Sequence, residues 1–281
     1  EAWFARHRPE YVFLLAARVG GIWANSTYPA EFIYQNLLIE ANVIHAAWRH
    51  GVKKLLFLGS SCAYPKHCPQ PIREESLLTG AIEPTNEPYA VAKLAGIKLC
   101  SAYRRQYGCR FIAVVPANTY GPGDDFGEGG HVVASLVKRM AEAREQGLPS
   151  VVVWGTGKPR REFLYVADVA EACLFLMQRY EEEGMINGGG GTDTAISRLA
   201  RLVKSTVGYR GRLVFDASRP DGMPRRLLDV RRIRKLGWRP RISLEQGLRL
   251  TWQGYRRQAK AGVALAEAAS VGGTTVGGVR A

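Results

Sequence analysis

Short, unbroken apolar runs alternate along this chain with longer helical patterns, and that alternation limits the possible folds more than any other feature. The runs are Tyr11 to Leu15, Lys53 to Leu58 and Arg110 to Val115; the helical stretches are Ala30 to Arg49, Tyr89 to Tyr107 and His131 to Gln146. A strand that is apolar on both faces is buried on both faces, the mark of a parallel sheet whose helices return the chain between strands. The expected fold class is therefore α/β, with a doubly wound parallel sheet. After Gly147 the elements shorten: a strand Val151 to Trp154, helices Asp168 to Tyr180 and Thr194 to Val207, a strand around Leu213 and a last helix Ser243 to Arg257. This change predicts a dinucleotide-binding domain over 1–148 and a smaller substrate-binding lobe over 149–259. The Ala/Gly/Thr/Val-rich stretch 260–281 has no periodicity and is expected to be a disordered tail.

Composition narrows the function classes. With 281 residues, 46% of them apolar, the chain can bury a substantial core. No run reaches the roughly 18 to 20 apolar residues of a membrane span, and the first residues lack a signal-peptide pattern, so a cytoplasmic protein without a membrane partner is expected. Cysteines at 62, 68, 100, 109 and 173 form no CxxC pair and no His/Cys cluster with metal spacing, which predicts reduced thiols and no metal. The formal charge of +14 calls for anionic partners or a solvated basic surface. No helix-turn-helix, RNP-type or zinc-finger pattern accompanies it, so nucleic acid is not an expected partner.

The chemistry-bearing pattern is Tyr89-Ala90-Val91-Ala92-Lys93, together with Gly59-Ser60-Ser61-Cys62 where the run Lys54 to Leu58 ends. Residues four apart share a helix face, so the Lys93 ammonium is expected beneath the Tyr89 ring, where it would favour the phenolate. A phenol with a pKa near 10 is otherwise a poor proton donor or acceptor at neutral pH. The Ser60 hydroxyl can hydrogen-bond a substrate carbonyl oxygen that Tyr89 protonates. The spacing alone also fits a core tyrosine beside a solvated lysine; the Ser-Ser-Cys strand end favours catalysis.

The chain resembles the extended short-chain dehydrogenase/reductases and, within them, the GDP-L-fucose synthase branch. The matching strings are Leu15-Ala16-Ala17-Arg18-Val19-Gly20-Gly21-Ile22, Phe57-Leu58-Gly59-Ser60-Ser61-Cys62-Ala63-Tyr64-Pro65, Glu83-Pro84-Thr85-Asn86-Glu87-Pro88-Tyr89-Ala90, Asn118-Thr119-Tyr120-Gly121-Pro122, Val152-Val153-Trp154-Gly155-Thr156-Gly157 and Arg161-Glu162-Phe163-Leu164. The resemblance implies a Rossmann-type sheet, NADPH as cofactor, and 3,5-epimerisation followed by 4-reduction of GDP-4-keto-6-deoxy-D-mannose to GDP-L-fucose. It further implies that the two lobes interleave, with Ala117 to Gly129 and the region after it crossing between them, and that the protein is a homodimer formed through the two long helices. A strand and glycine-rich turn normally open such a sheet; roughly fifty residues of that pattern, the first βαβ segment, are expected to be missing here. The Gly188-Gly189-Gly190-Gly191 cluster lies too late to be that turn.

Carried over residue by residue, the resemblance makes Ser60, Tyr89 and Lys93 the reductase triad and Cys62 with His131 the acid/base pair of the epimerase step. The spacing before His131 is slightly shorter than in the branch. Cofactor contacts would be Ala16, Ala17, Leu58, Gly59, Ser60, Ser61, Lys93, Pro116, Ala117, Asn118, Thr119 and His131. The GDP-sugar would meet Arg139, Trp154, Arg161 and Arg212, with Asp221 and Arg226 as companions. Two other readings fit the same residues: another nucleotide-sugar epimerase or reductase of the same fold, and an inactive remnant acting as a binding or dimerisation module.

Overall fold

The computed structural model describes residues 1–127, 130–219 and 221–271. A short helix α1 (Ala2–His7) leads into β1 (Tyr11–Leu14), followed by α2 (Ile22–Thr27), α3 (Pro29–Arg49) and β2 (Lys54–Leu58). Then come α4 (Glu87–Tyr107), β3 (Phe111–Pro116), β4 (Asn118–Tyr120), α5 (Val132–Glu145) and β5 (Ser150–Trp154). The rest of the chain forms β6 (Arg160–Tyr165), α6 (Val166–Arg179), β7 (Met185–Gly188), β8 (Asp193–Ala195), α7 (Ile196–Val207), β9 (Arg212–Asp216), β10 (Arg225–Arg226), α8 (Arg231–Lys235) and α9 (Leu244–Val271). The 21-residue helices α3 and α4 both open with proline in the first turn, where a missing N–H costs nothing, and α4 stops at Gly108 in the left-handed conformation.

Strands β1, β2, β3 and β7 form one all-parallel sheet in that order. In their register Leu14 pairs with Phe57, Leu58 with Val114 and Pro116 with Gly188, so the strands end together and release their loops at one edge. Helices cover both faces. Phe57 points toward α4, where a Cβ on Gly96 would overlap its ring. Lys54, three residues earlier and so on the opposite face, reaches the carboxyl end of α6. Its buried ammonium donates to the carbonyls of Leu176 (3.3 Å) and Tyr180 (2.7 Å) and pairs with Glu181 at 3.0 Å. Hydrogen bonds from Arg110, and next those from Lys54, hold the Glu181 carboxyl down to about 2 against the opposing effect of burial.

A second core lies beside the first. Here β10, β6 and β4 run parallel, β8 joins β6 antiparallel, and β5 pairs with β9, against α5, α7 and α9. The two cores interleave in sequence. Residues of α6, β7 and α8 belong to the first core, and Tyr120 with α5 belongs to the second. Each core thus takes residues from both sides of position 148. The last helix also runs past Arg257 to Val271, since an alanine-rich stretch has high helix propensity even without an amphipathic pattern. Of the tail read from 260 onward, residues 272–281 lie outside the described residues. Among the described residues no helix is long and apolar enough to cross a membrane.

Gly96 sets the distance between α4 and the sheet. A Cβ there would overlap the Phe57 ring and come within 2.8 Å of the Glu40 carboxylate on α3. Gly96→Ala should destabilise the fold by about 1 to 3 kcal/mol, the usual cost of overpacking a rigid core. Urea unfolding should show a lower midpoint with an unchanged slope.

Candidate functional site

The loop after β2 presents the first group of site residues. Ser60 has extended backbone and caps a single turn, Ser61–Ala63, its Oγ accepting from the Cys62 N–H at 3.2 Å. Tyr89 stands in the first turn of α4, half-buried, with the Phe32 ring edge-on to it. Burial pushes the Tyr89 phenol above its ordinary value, the nearby Cys62 adds to this, and the Ser60 hydroxyl, hydrogen-bonded to the phenol, pulls the other way. Lys93 does not lie beneath the ring as its spacing predicts. Its ammonium points down α4 to the Leu58 carbonyl (3.1 Å) and the Glu40 carboxylate (3.2 Å), over the Phe57 ring at 4.6 Å. The i, i+4 rule fixes only where the helix positions lie; the buried carboxylate of α3 decides where the four-carbon stem goes.

A second group crosses between the cores. The Cys62 sulfur accepts from Asn86 Nδ2 at 3.1 Å and from Arg226 Nη1 at 3.2 Å. Arg226 lies buried on β10, in register with Arg161 on β6. The Arg161 guanidinium is pushed down to about 10, first by burial and then by repulsion from Arg226. Its hydrogen bonds go to the backbone carbonyls of Arg160 and Asp221, and only the weaker pulls of Cys62, Asp221 and Glu83 oppose burial, which leaves its charge suited to an anion. Arg139 is similar: it donates to the Val152 carbonyl, and burial lowers its pKa against a weaker pull from Glu142.

The remaining residues picked out from the sequence divide. Trp154 is 56% exposed at the end of β5, with the Arg219 guanidinium 5.0 Å from its ring centre. The Asp221 carboxylate accepts from the Thr156 N–H and hydroxyl, both at 2.7 Å, and so ties the loop after β5 to the loop before β10. Arg212 is not at this end. It pairs with Ser150 at the start of β5, four residues or roughly 13 Å from Trp154. His131 is exposed at the start of α5, where its Nδ1 lies 3.8 Å from Asp124; among the described residues no contact joins it to Cys62.

Ala16 and Ala17 follow β1, Leu58 ends β2 and Gly59 to Ser61 follow it, and Pro116 ends β3 with Ala117 next, all at the shared carboxyl edge where open α/β sheets bind ligands. The Asn118 amide donates to the Glu162 carbonyl and the Thr119 hydroxyl to the Ala117 carbonyl, so these two side chains serve the backbone. At Gly59 a Cβ would come within 3.2 Å of Ile97 and 3.3 Å of the Val114 carbonyl, so its absence lets the end of β2 pack closely against α4 and β3. With the Ser60 and Tyr89 hydroxyls and the Lys93 ammonium close by, the edge fits the nicotinamide-ribose end of a dinucleotide.

Residues 1–189 match the NAD dependent epimerase/dehydratase family. The chain belongs to that family. GDP-L-fucose synthase 1 of Arabidopsis thaliana is 54% identical over 256 residues, covering 91% of this chain and 79% of that protein. GDP-L-fucose synthase of Escherichia coli is 54% identical over 262 residues, 90% and 82% of the two chains. Among solved structures, a GDP-6-OMe-4-keto-L-xylo-heptose reductase from C. jejuni superposes with a TM-score of 0.87 at 35% identity, covering 92% of this chain and 85% of that one. A GDP-L-fucose synthetase from Naegleria fowleri bound to NADP superposes at 0.84 and 30% identity, covering 92% and 80%.

For this epimerase-family chain the sequence reading missed two site residues. Asn86 lies inside a string it had matched, yet nothing in the spacing showed that it would reach Cys62. Glu40 had a visible signal: Phe32, Asn36, Glu40 and Ile44 follow at intervals of four and are all buried, so a carboxylate sits on the apolar stripe of α3. The position of Lys93 leaves burial as the main influence on Tyr89. In a spectrophotometric titration of the folded protein, Tyr89→Phe should remove no phenol that ionises near the ordinary tyrosine value of about 10. Loss of such a transition would place Lys93 close to the ring after all.

Proposed function

We propose that this protein catalyses NADPH-dependent 3,5-epimerisation and 4-reduction of GDP-4-keto-6-deoxy-D-mannose to GDP-L-fucose. The observation that best supports this is the position of Cys62: two residues after Ser60, with its sulfur held by Asn86 and Arg226. One strand end thus presents a proton-transfer thiol beside the hydroxyl pair that a ketone reduction needs. The relatives named GDP-L-fucose synthase support the same reading.

The 4-keto group acidifies the hydrogens on C3 and C5. In this reading Cys62 and His131 form the acid/base pair: a base takes the proton, the electron pair moves into the enolate, and a proton returns from the opposite face. Ser60 steadies the C4 oxygen throughout. NADPH, held along the carboxyl edge from Ala16 to Asn118, supplies the reducing equivalent when bound. Tyr89 then gives its proton to the C4 oxygen. Arg161 and Arg139 are the cations for the pyrophosphate, and Trp154 offers its ring face to the guanine. The protein is expected to work in the cytoplasm as a homodimer through α3 and α4, where Tyr34 and Leu38 lie exposed.

Tyr89→Phe should slow NADPH oxidation at least roughly a hundredfold while GDP-sugar binding persists. Near-normal oxidation would remove Tyr89 from the mechanism. Cys62→Ser and His131→Asn should each slow solvent-deuterium uptake into the keto sugar more than they weaken its binding. The exposed setting of His131 beside Asp124 favours a second reading, a 4-reductase that does not epimerise. Unchanged deuterium uptake in both variants would select it.

A further inference from the structure

The Glu40–Lys93 pair is the most deeply buried ionic contact near the site. Glu40 is 0% and Lys93 2% exposed, and their side chains meet at 3.2 Å between α3 and α4. Neither oxygen of Glu40 has a partner of good hydrogen-bond geometry, and the groups of α4 that act on the carboxylate against burial are the Lys93 ammonium and, more weakly, the Gly96 backbone. The pair lies below the site: the same ammonium donates to the carbonyl of Leu58, the residue that ends β2 two positions before Ser60. A charged pair placed this deep is costly to desolvate and needs a reason to be there.

Resting on the reading of Lys93 as the third member of the reductase triad with Ser60 and Tyr89, we propose that Glu40 is its positioning residue: the buried carboxylate holds the ammonium charged and against the end of β2. Glu40 touches neither substrate nor cofactor and acts only through Lys93. The titratable groups facing it are Lys93, Tyr89 and Cys100, all on α4, while β2 offers the Phe57 ring and the Leu58 carbonyl. Burial lowers the Lys93 pKa and Glu40 raises it again. Burial likewise pushes Glu40 up to about 7, with Lys93 opposing. Deleting the negative charge removes the raising contribution, so Lys93 should lose its proton at lower pH. Any function that needs the ammonium should then fail earlier as pH rises.

The test compares Glu40→Gln, which keeps size and an acceptor oxygen, with Glu40→Asp, which keeps the charge, and with Lys93→Met. In unloaded protein carrying lysine labelled at Cε, the resonance missing from Lys93→Met identifies Lys93. Its titration should move down by at least about one pH unit in Glu40→Gln and by less in Glu40→Asp. In turnover, the alkaline limb of kcat should move down with it, by about tenfold in rate at its far end, with KM for the GDP-sugar unchanged. The double variant should be no slower than Lys93→Met alone. A packing role would lower stability in Glu40→Gln without moving either titration, and that result would overturn the proposal. Full reductase activity in Lys93→Met would instead overturn the role assigned to Lys93, while the unloaded titration would still report on Glu40.

Discussion

The seating of α4 on β2 is the contact on which the rest of the site depends. One helix supplies both Tyr89 at its start and Lys93 one turn later, and the strand beneath it ends in the loop that carries Ser60 and Cys62. Gly96 allows the helix to settle onto the Phe57 ring, and the Glu40 carboxylate fills the space left beside it. A helix held farther away would separate the phenol from the serine hydroxyl while leaving every motif intact in the sequence. Catalytic geometry here is a packing outcome first and a list of residues second.

Much of this was legible in advance for physical reasons. Buried parallel strands must be apolar on both faces, so β1, β2 and β3 appeared as runs, and long helices between them appeared by their period. The strands β4, β6, β7, β8 and β10 gave no such signal. Each is two to six residues long and exists because a partner elsewhere in the chain pairs with it. The crossing of the chain between the two cores is visible only through the family resemblance and not in the periodicity, since β7 returns to the first sheet only after the second core has begun.

Side-chain direction was the least legible part. The positions of Ser60, Tyr89 and Lys93 follow from strand end and helix spacing, but the choice of Lys93 between a ring on its own helix and a carboxylate on another depends on tertiary contact. Arg226 shows the same limit. The sequence makes it a companion of the GDP-sugar arginines, and only the pairing of β10 with β6 shows that it is carried inward to the sulfur of Cys62. The Gly188–Gly191 cluster has its explanation in Glu162, a buried carboxylate that accepts the Gly191 N–H at 2.6 Å and the Leu228 N–H at 2.9 Å and leaves no room for a Cβ at Gly189.

The knot of charge at the opposite end of the sheet has a consequence of its own. Lys54 and Arg110 stand where β2 and β3 begin, converge on Glu181 and close off the last turn of α6. Each strand therefore has two ends with separate duties, one anchoring and one reactive, joined by a stretch of plain hydrocarbon. Change can accumulate at one end without being felt at the other. A lineage of such proteins can revise its loops and its choice of sugar at the carboxyl edge while the anchored edge continues to secure the fold.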